Sequence, residues 1–453
     1  MRFRSLVFWV LVLVGAGAGA GFGWLRCEGS APEVRADAPI QVARSGARVS
    51  LELLDAGSGL RSVGVVFTHA RGEATLLERS YPGSWLRGGA ARDVPERVEL
   101  AIDPKALDLR DGDGILRVTA RDWSLRNGLE GNEVRVELPV TIDVRPPRVE
   151  VETGLTYVQR GGAAAVVYRL SEPVLRDGVE VGDHFYAGAS LSAAEPDAAR
   201  RVAIFALPAD APQNPPIRVV AFDAVGNRGM ASFDARVQER SFEDVSVRLP
   251  GGFLASKVPT LAEANQIDAS DPAAAFQQIN TRLREANEAR IRQVLAGAPT
   301  ERQFAGAFEQ LRGSAVTSRF AERRAYQIDG KALSHATHYG YDLASTARAP
   351  VGASNAGRVV FADDLGIYGN CVLIDHGLGV SSLYGHLSRV DVAPGDRVER
   401  GQTIGLTGQT GLAGGDHLHF AILVGGTYVD PVEWWDPKWV REHIDARLEP
   451  PTP

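Results

Sequence analysis

His338-Tyr339-Gly340-Tyr341-Asp342, Tyr384-Gly385-His386 and His417-Leu418-His419 are the stretches that decide how this chain folds and what it does. The chain has nine histidines, and six fall between His335 and His419. Imidazole nitrogen with carboxylate oxygen is the donor mixture of a catalytic zinc, which keeps one position open for water. His338 and Asp342 are four apart, which would put both on one face of a helix. On a strand the even spacing also projects both to one side. The intervening Tyr339-Gly340-Tyr341 and the strand-rich surroundings favour a strand or loop. Leu418-His419-Phe420-Ala421-Ile422 alternates like a strand, so His417 and His419 are expected to face one way. Two such pairs facing each other across a sheet would hold one metal and leave a base beside it.

Working outward, residues 326–436 form one expected β domain. Gly357-Arg358-Val359-Val360-Phe361-Ala362 and Cys371 to Asp375 are core strands in this reading. Val392 to Val398 and Gly401 to Gly405 are two strands with tight turns. Gly-Asp-x-Val and Gly-Gln patterns also occur in biotinyl and lipoyl carrier domains. A carrier needs a modifiable lysine at a hairpin tip, and no lysine lies between Lys331 and Lys438. His376 follows a core strand and is expected to hydrogen-bond structurally, while His335 falls on a surface loop. Trp434, Trp435 and Trp439 would cover the domain edge, with sugar stacking as the alternative. Residues 437–453 are a C-terminal tail.

Upstream the pattern changes twice. Residues 241–325 read as a helical connector: Asp271-Pro272 supplies an N-cap carboxylate and a first-turn proline. Phe276, Ile279, Leu283, Ala286, Ile291 and Val294 then keep near-helical spacing. Gln303 to Leu311 is expected to add a short helix. Before the connector come short alternating strands, among them Val49–Leu53, Leu116–Ala120 and Val134–Leu138, separated by Gly, Pro, Asn and Asp turns. They suggest two immunoglobulin-like β-sandwiches, 31–146 and 147–240, with the boundary at Pro146-Pro147. A weak repeat supports two copies: Val118 to Asp122 with Asn127 echoes Val220 to Asp223 with Asn227. The sandwiches read as spacers, and their protein partners are not identifiable. The fold class is therefore mainly β.

The N-terminus, residues 1–26, carries Arg2 and Arg4 before a charge-free run from Leu6 to Leu25. Twenty apolar residues suffice to cross a bilayer as a helix, and the arginines keep the N-terminus cytoplasmic. Ala16-Gly17-Ala18 and Ala18-Gly19-Ala20 resemble cleavage sites, but the run continues past them, which favours a retained anchor. Either way the bulk is exported, and the expected location is the cell envelope, anchored in the inner membrane and facing the periplasm. Net charge is −7 over 453 residues with no basic run, which argues against nucleic acid as a partner. Cys27 and Cys371, one after the apolar run and one in a strand, give no disulfide framework.

The region from about Ser318 to Trp435 resembles the LytM/lysostaphin-type zinc metallopeptidases of bacterial peptidoglycan. His338 to Asp342 matches the family's His-x-Gly-x-Asp motif, Tyr384-Gly385-His386-Leu387 its Tyr-x-His-Leu motif, and His417-Leu418-His419 its His-x-His motif. The resemblance implies one Zn2+ per chain, with His338, Asp342 and His419 as metal ligands. It implies His386 and His417 as the catalytic pair beside the metal. Asp416 stands where the family often has proline, Ala421 where glutamate often follows, and Ala321 where glycine is usual at the domain entrance. Asp416 would either orient a histidine or serve as a loop residue. The expected activity is a zinc metalloendopeptidase cutting stem peptides or cross-links of peptidoglycan. The alternatives are a non-catalytic regulator of other wall hydrolases and a zinc peptidase of exported proteins.

Overall fold

The computed structural model describes residues 2–191, 199–296 and 301–448. The end of the expected tail, 449–453, lies outside the described residues. The chain is mainly β and divides into two compact units, 1–146 with 223–227 and 147–222 with 228–453.

Arg2–Arg26 forms a helix, whose described side chains are those of residues 7–23 and 26. Among the described residues no helix is long and apolar enough to cross a membrane. The first unit then builds two sheets. One orders Ile40–Val42, Glu133–Ile142, Gly112–Asp122, Leu60–His69 and Gly72–Ser80; the other orders Glu33–Ala36, Ala47–Leu54 and Glu96–Ile102. Burial alternates along Gly112–Asp122 with Leu116, Val118 and Ala120 inward, as the two-residue period of a strand requires. These side chains meet Leu51, Leu53 and Leu100 from the other sheet in one core.

In the second unit, two four-stranded sheets fill much of 149–232, and the peptidase-like region carries an eight-stranded one. The second module packs directly on the C-terminal domain. Gly161 O accepts from Asp430 N at 2.7 Å, and Ala163 N donates to Glu433 Oε2 at 3.0 Å. The eight-stranded sheet runs through Ala315–Ser318, Tyr341–Ala344, Leu418–Val424, Val380–Leu387, Asn370–Asp375, Gly357–Asp364 and Arg397–Val398, with Thr427–Val429 also pairing to Leu418–Val424. Every residue of Leu418–Val424 and Val380–Leu387 is buried, polar Ser381, Ser382, His386 and His419 included, so burial does not alternate along these central strands.

The connector is helical as expected, from Gly251–Ala264 through Pro272–Gln278 and Arg284–Leu295, with a π-helical turn at Ile279–Leu283. Asp271 caps the second helix by accepting from Ala273 N and Ala274 N. Gln303 to Leu311 is not a helix. Its amides donate outward instead of four residues back: Gln303 N to His376 O, Phe308 N to Trp434 O and Glu309 N to Ser354 O. Gly306 also sits at φ +60°, outside the right-handed helical region. The helix-like spacing of Phe304 and Phe308 instead brings both rings against Trp434. Trp434 is fully buried, which removes it from any sugar-stacking role.

Candidate metal centre

The His-x-Gly-x-Asp stretch crosses from one sheet to another. His338 ends the strand Lys331–His338, and Asp342 lies in Tyr341–Ala344 of the eight-stranded sheet. The two therefore meet because the chain turns at Tyr339-Gly340, not because one strand projects both. Gly340 permits that turn, since a Cβ there would lie 2.7 Å from the His419 ring. Across the sheet, Asp342 is registered with His419 and His419 with Gly385.

His386 follows Gly385 at an irregularity in the pairing between Asn370 and Val372 of the neighbouring strand and Leu387 and Tyr384 of its own. His386 itself has φ +63°, a left-handed backbone uncommon for a non-glycine residue. Such a bulge breaks the two-residue alternation and re-aims a side chain. Its ring centroid ends 4.8 Å from that of His417 and 5.9 Å from that of His419. His417 lies just before the strand Leu418–Val424, held by its amide to Gly408 O.

His338 Nε2, Asp342 Oδ1 and His419 Nδ1 form a triangle with all three sides 3.0 Å. Three donors of a tetrahedral zinc at its usual bond lengths stand roughly 3.3 Å apart, so the set fits one such ion. These three are also a group within reach of a single metal by donor type and proximity. His338 donates Nδ1–H to Arg319 O at 2.9 Å, which leaves Nε2 as the free lone pair. The same device repeats in His386, which donates to Thr410 O at 2.9 Å, and in His417, which donates to Gly415 O at 2.8 Å. His417 Nε2 is 3.6 Å from Asp342 Oδ1. His419 is the exception: its Nδ1 faces the group while its buried Nε2 has no hydrogen-bond partner.

Charge follows this geometry. Burial pushes Asp342 up, but the neighbouring His338, then hydrogen bonds from His338, His417 and His419, hold it well below the usual carboxylate range. Burial, then the charges of His417 and His419, push His386 well below the ordinary imidazole value. Burial also lowers His417, yet Asp342 outweighs it by hydrogen bond and charge, and the net shift is upward.

A cleft of about 270 Å³ opens over these groups. One wall is the connector, through Leu249, Phe253, Phe276 and Arg284, and another is the loop Leu412 to Gly414. Lys257 ties the two by donating to Gln409 O at 2.5 Å. Arg324, also in the cleft, reaches the outer carboxylate oxygen of Asp342 at 3.3 Å while pairing with Glu322 at 3.1 Å. Tyr368 lays its ring 5.4 Å from His419 and donates to Glu288 of the connector at 2.7 Å. Neither residue carries a sequence signal, because each contact joins segments far apart in the chain.

The remaining candidates fall elsewhere. His376 is fully buried, bonded to Ala356 O and Ser382 Oγ, each at 2.7 Å, and burial takes it down to about 4. His335 is exposed on the strand Lys331–His338. Asp416 orients no histidine: it accepts from Thr407 Oγ1 and Arg348 N and fixes its loop.

A β-sheet domain that gathers two imidazoles and a carboxylate at the floor of a cleft has the build of a metallopeptidase domain. Residues 336–431 match the model of peptidase family M23, and the C-terminal domain belongs to that family. Over 95 residues the chain is 43% identical to the DD-carboxypeptidase/endopeptidase Mpg of Neisseria meningitidis, covering 21% of this chain and 22% of that protein. It is 37% identical over 118 residues to the peptidoglycan DD-endopeptidase ShyA of Vibrio cholerae, covering 26% and 27%. The chain thus spans about a quarter of the length of these curated relatives. A crystal structure of a putative peptidase M23 from Pseudomonas aeruginosa aligns with 63% of this chain and 96% of its own, at 19% identity and a TM-score of 0.39.

Proposed function

We propose that this chain is a zinc metalloendopeptidase that hydrolyses peptide bonds in the stem peptides or cross-links of peptidoglycan. The observation that carries the reading is the 3.0 Å triangle of His338, Asp342 and His419 with two further imidazoles beside it. The similarity to relatives named as peptidoglycan DD-endopeptidases supports the substrate class. His338, Asp342 and His419 would hold the zinc, which when bound polarises water and the scissile carbonyl. His386 and His417 then share the proton work. One takes a proton from the attacking water at its free Nε2, and the other donates to the developing oxyanion or the leaving amine. Their opposed shifts, one down and one up, are the arrangement such a pair needs. Arg324 holds the outer oxygen of Asp342 and keeps the inner one turned to the metal.

The apolar N-terminal segment supports anchoring in the inner membrane with the bulk in the periplasm, where this substrate lies. A non-catalytic regulator of other wall hydrolases is the rival, and the complete set of five site residues speaks against it. The purified chain should bind a single zinc and release new amino termini from peptidoglycan, and His338→Ala should abolish both. An unchanged cleavage rate in metal-free His338→Ala would overturn the proposal.

A further inference from the structure

Far from the histidines in sequence, the first unit gathers three acids. Carboxylate oxygens of Glu28, Asp55 and Asp122 all lie within 4.8 Å of one another, and Asp55 and Asp122 are buried. Among the described residues no arginine, lysine or histidine forms an ion pair with any of the three. Like charges this close, with two of the three buried, are relieved by a proton on one acid or by a compensating cation. Backbone donors meet part of the demand: Gly57 N reaches Asp55 Oδ1 at 3.2 Å, and Ser58 N reaches Glu28 Oε1 at 2.5 Å. Ser124 N and Asn132 N reach Asp122 Oδ1 at 2.9 and 2.7 Å.

Two polar atoms remain unmet at this spot. Asp55 is 3% exposed, and its Oδ2 is buried without a hydrogen-bond partner. Ser58, 0% exposed, likewise leaves Oγ without one, although its own amide is bonded to Glu28. Unpaired buried oxygens are rare in folded proteins, and a bound ion is one of the standard explanations.

We propose that Glu28, Asp55 and Asp122 form a site for a hard divalent cation, calcium by donor chemistry. The donors are all oxygen, from Glu28 and Asp55 on irregular backbone and Asp122 at the end of a strand, and an all-oxygen set suits a hard cation such as calcium better than zinc. The location gives the ion a task. Glu28 lies two residues past the helix Arg2–Arg26, in a segment that Asn132 Nδ2 already grips through Glu28 O and Ser30 O at 3.2 and 3.0 Å. A cation shared with Asp55 and Asp122 fastens that entering segment to the loops of the first module and stiffens the junction.

The test uses the full chain, stripped of metal by chelation and carrying His338→Ala so that the histidine centre does not compete. Calcium chloride is added while the melting temperature is read. In a second titration terbium emission is excited through tryptophan, with Trp123 adjacent to Asp122 as sensitiser. The expected result is a saturable rise in melting temperature with a midpoint in the range of about 10⁻⁴ to 10⁻³ M, as for extracellular calcium modules. Terbium emission should be displaced by calcium. Asp55→Asn, which keeps the side-chain shape, should lose both responses. Glu28→Gln on the entering segment is the second variant, should Asp55→Asn not fold. No saturable response up to about 10 mM calcium, or a response that persists in these variants, would overturn the site.

Discussion

The two acid-bearing clusters of this protein surround their carboxylates with opposite company. Asp342 sits among three imidazoles and an arginine, and despite its burial those groups hold it well below the ordinary range. Asp55 sits beside two more acids. Burial first, then the charges of Asp122 and Glu28, push it up to about 6 against the pull of backbone hydrogen bonds. The first cluster offers two nitrogens and one oxygen at 3.0 Å spacing; the second offers oxygens alone, spread over up to 4.8 Å. Donor type and rigidity together select the ion, so one fold can carry a zinc-like site and a calcium-like site without confusion. Left-handed residues other than glycine lie beside both: Ala91 at φ +56°, whose carbonyl accepts from Asp55 N, and His386 and Ala321 around the histidines.

Breaking the nitrogen-rich cluster should have the largest effect. His338→Ala and Asp342→Asn should each lose bound zinc, read by metal analysis, and reduce kcat/KM by roughly 10³-fold or more. Neither should alter the calcium response of the acid cluster. His386→Ala and His417→Ala probe a different claim: both should keep the zinc yet lose about 10²- to 10⁴-fold in kcat. Zinc loss from either would move that histidine into the ligand set. Arg324→Met should weaken zinc affinity by about 10- to 100-fold, read by competition with a chelator, because it frees the outer oxygen of Asp342.

Much of this centre was legible in the sequence, and the reason is physical. Ligands held on adjacent strands must sit at short, fixed spacings, so His338 with Asp342 and His417 with His419 leave compact traces. The mainly β class and the capped connector helix were legible for the same reason, since period and cap are local. The placement of His338 and Asp342 on strands of two different sheets was not, because the chain turns between them at Tyr339-Gly340. Arg324 and Tyr368 left no trace, since their partners are brought together only by the fold. The acids at Glu28, Asp55 and Asp122 are spread over nearly a hundred residues. The echo of Asp122 with Asn127 pointed to the right loop but the wrong amide: Asn132 is the residue that clasps Asp122, at 2.8 Å, as Asn227 clasps Asp223.

A third buried carboxylate sharpens the contrast, because it has no imidazole close by and its one neighbouring acid, Asp430, is offset by Arg240. Glu433 accepts from Ala163 N, and burial pushes it up to about 8 from 4.5. Its folded value exceeds its unfolded one, so the protonated acid favours folding. That contribution is complete below pH 4.5 and is lost as pH rises through about 8. Glu433→Gln keeps an acceptor for Ala163 N and cannot ionise. Its melting temperature should match the parent at low pH and exceed it above pH 8, by an amount equivalent to roughly 1–3 kcal/mol. Equal pH profiles for the two proteins would mean that Glu433 is ionised and compensated in the fold.

The smallest effect concerns the backbone beneath the histidines. Ala321 occupies φ +60°, and its amide donates to His338 O at 2.7 Å. A left-handed conformation costs a residue with a Cβ roughly 1 kcal/mol relative to glycine. Ala321→Gly should therefore raise stability, by up to about 1 kcal/mol in denaturant unfolding after the entropy glycine adds to the unfolded chain. Because the hydrogen bond to His338 O is kept, zinc affinity should not change. A gain in stability with a loss of zinc would show that the strain at Ala321 helps to hold His338 in place.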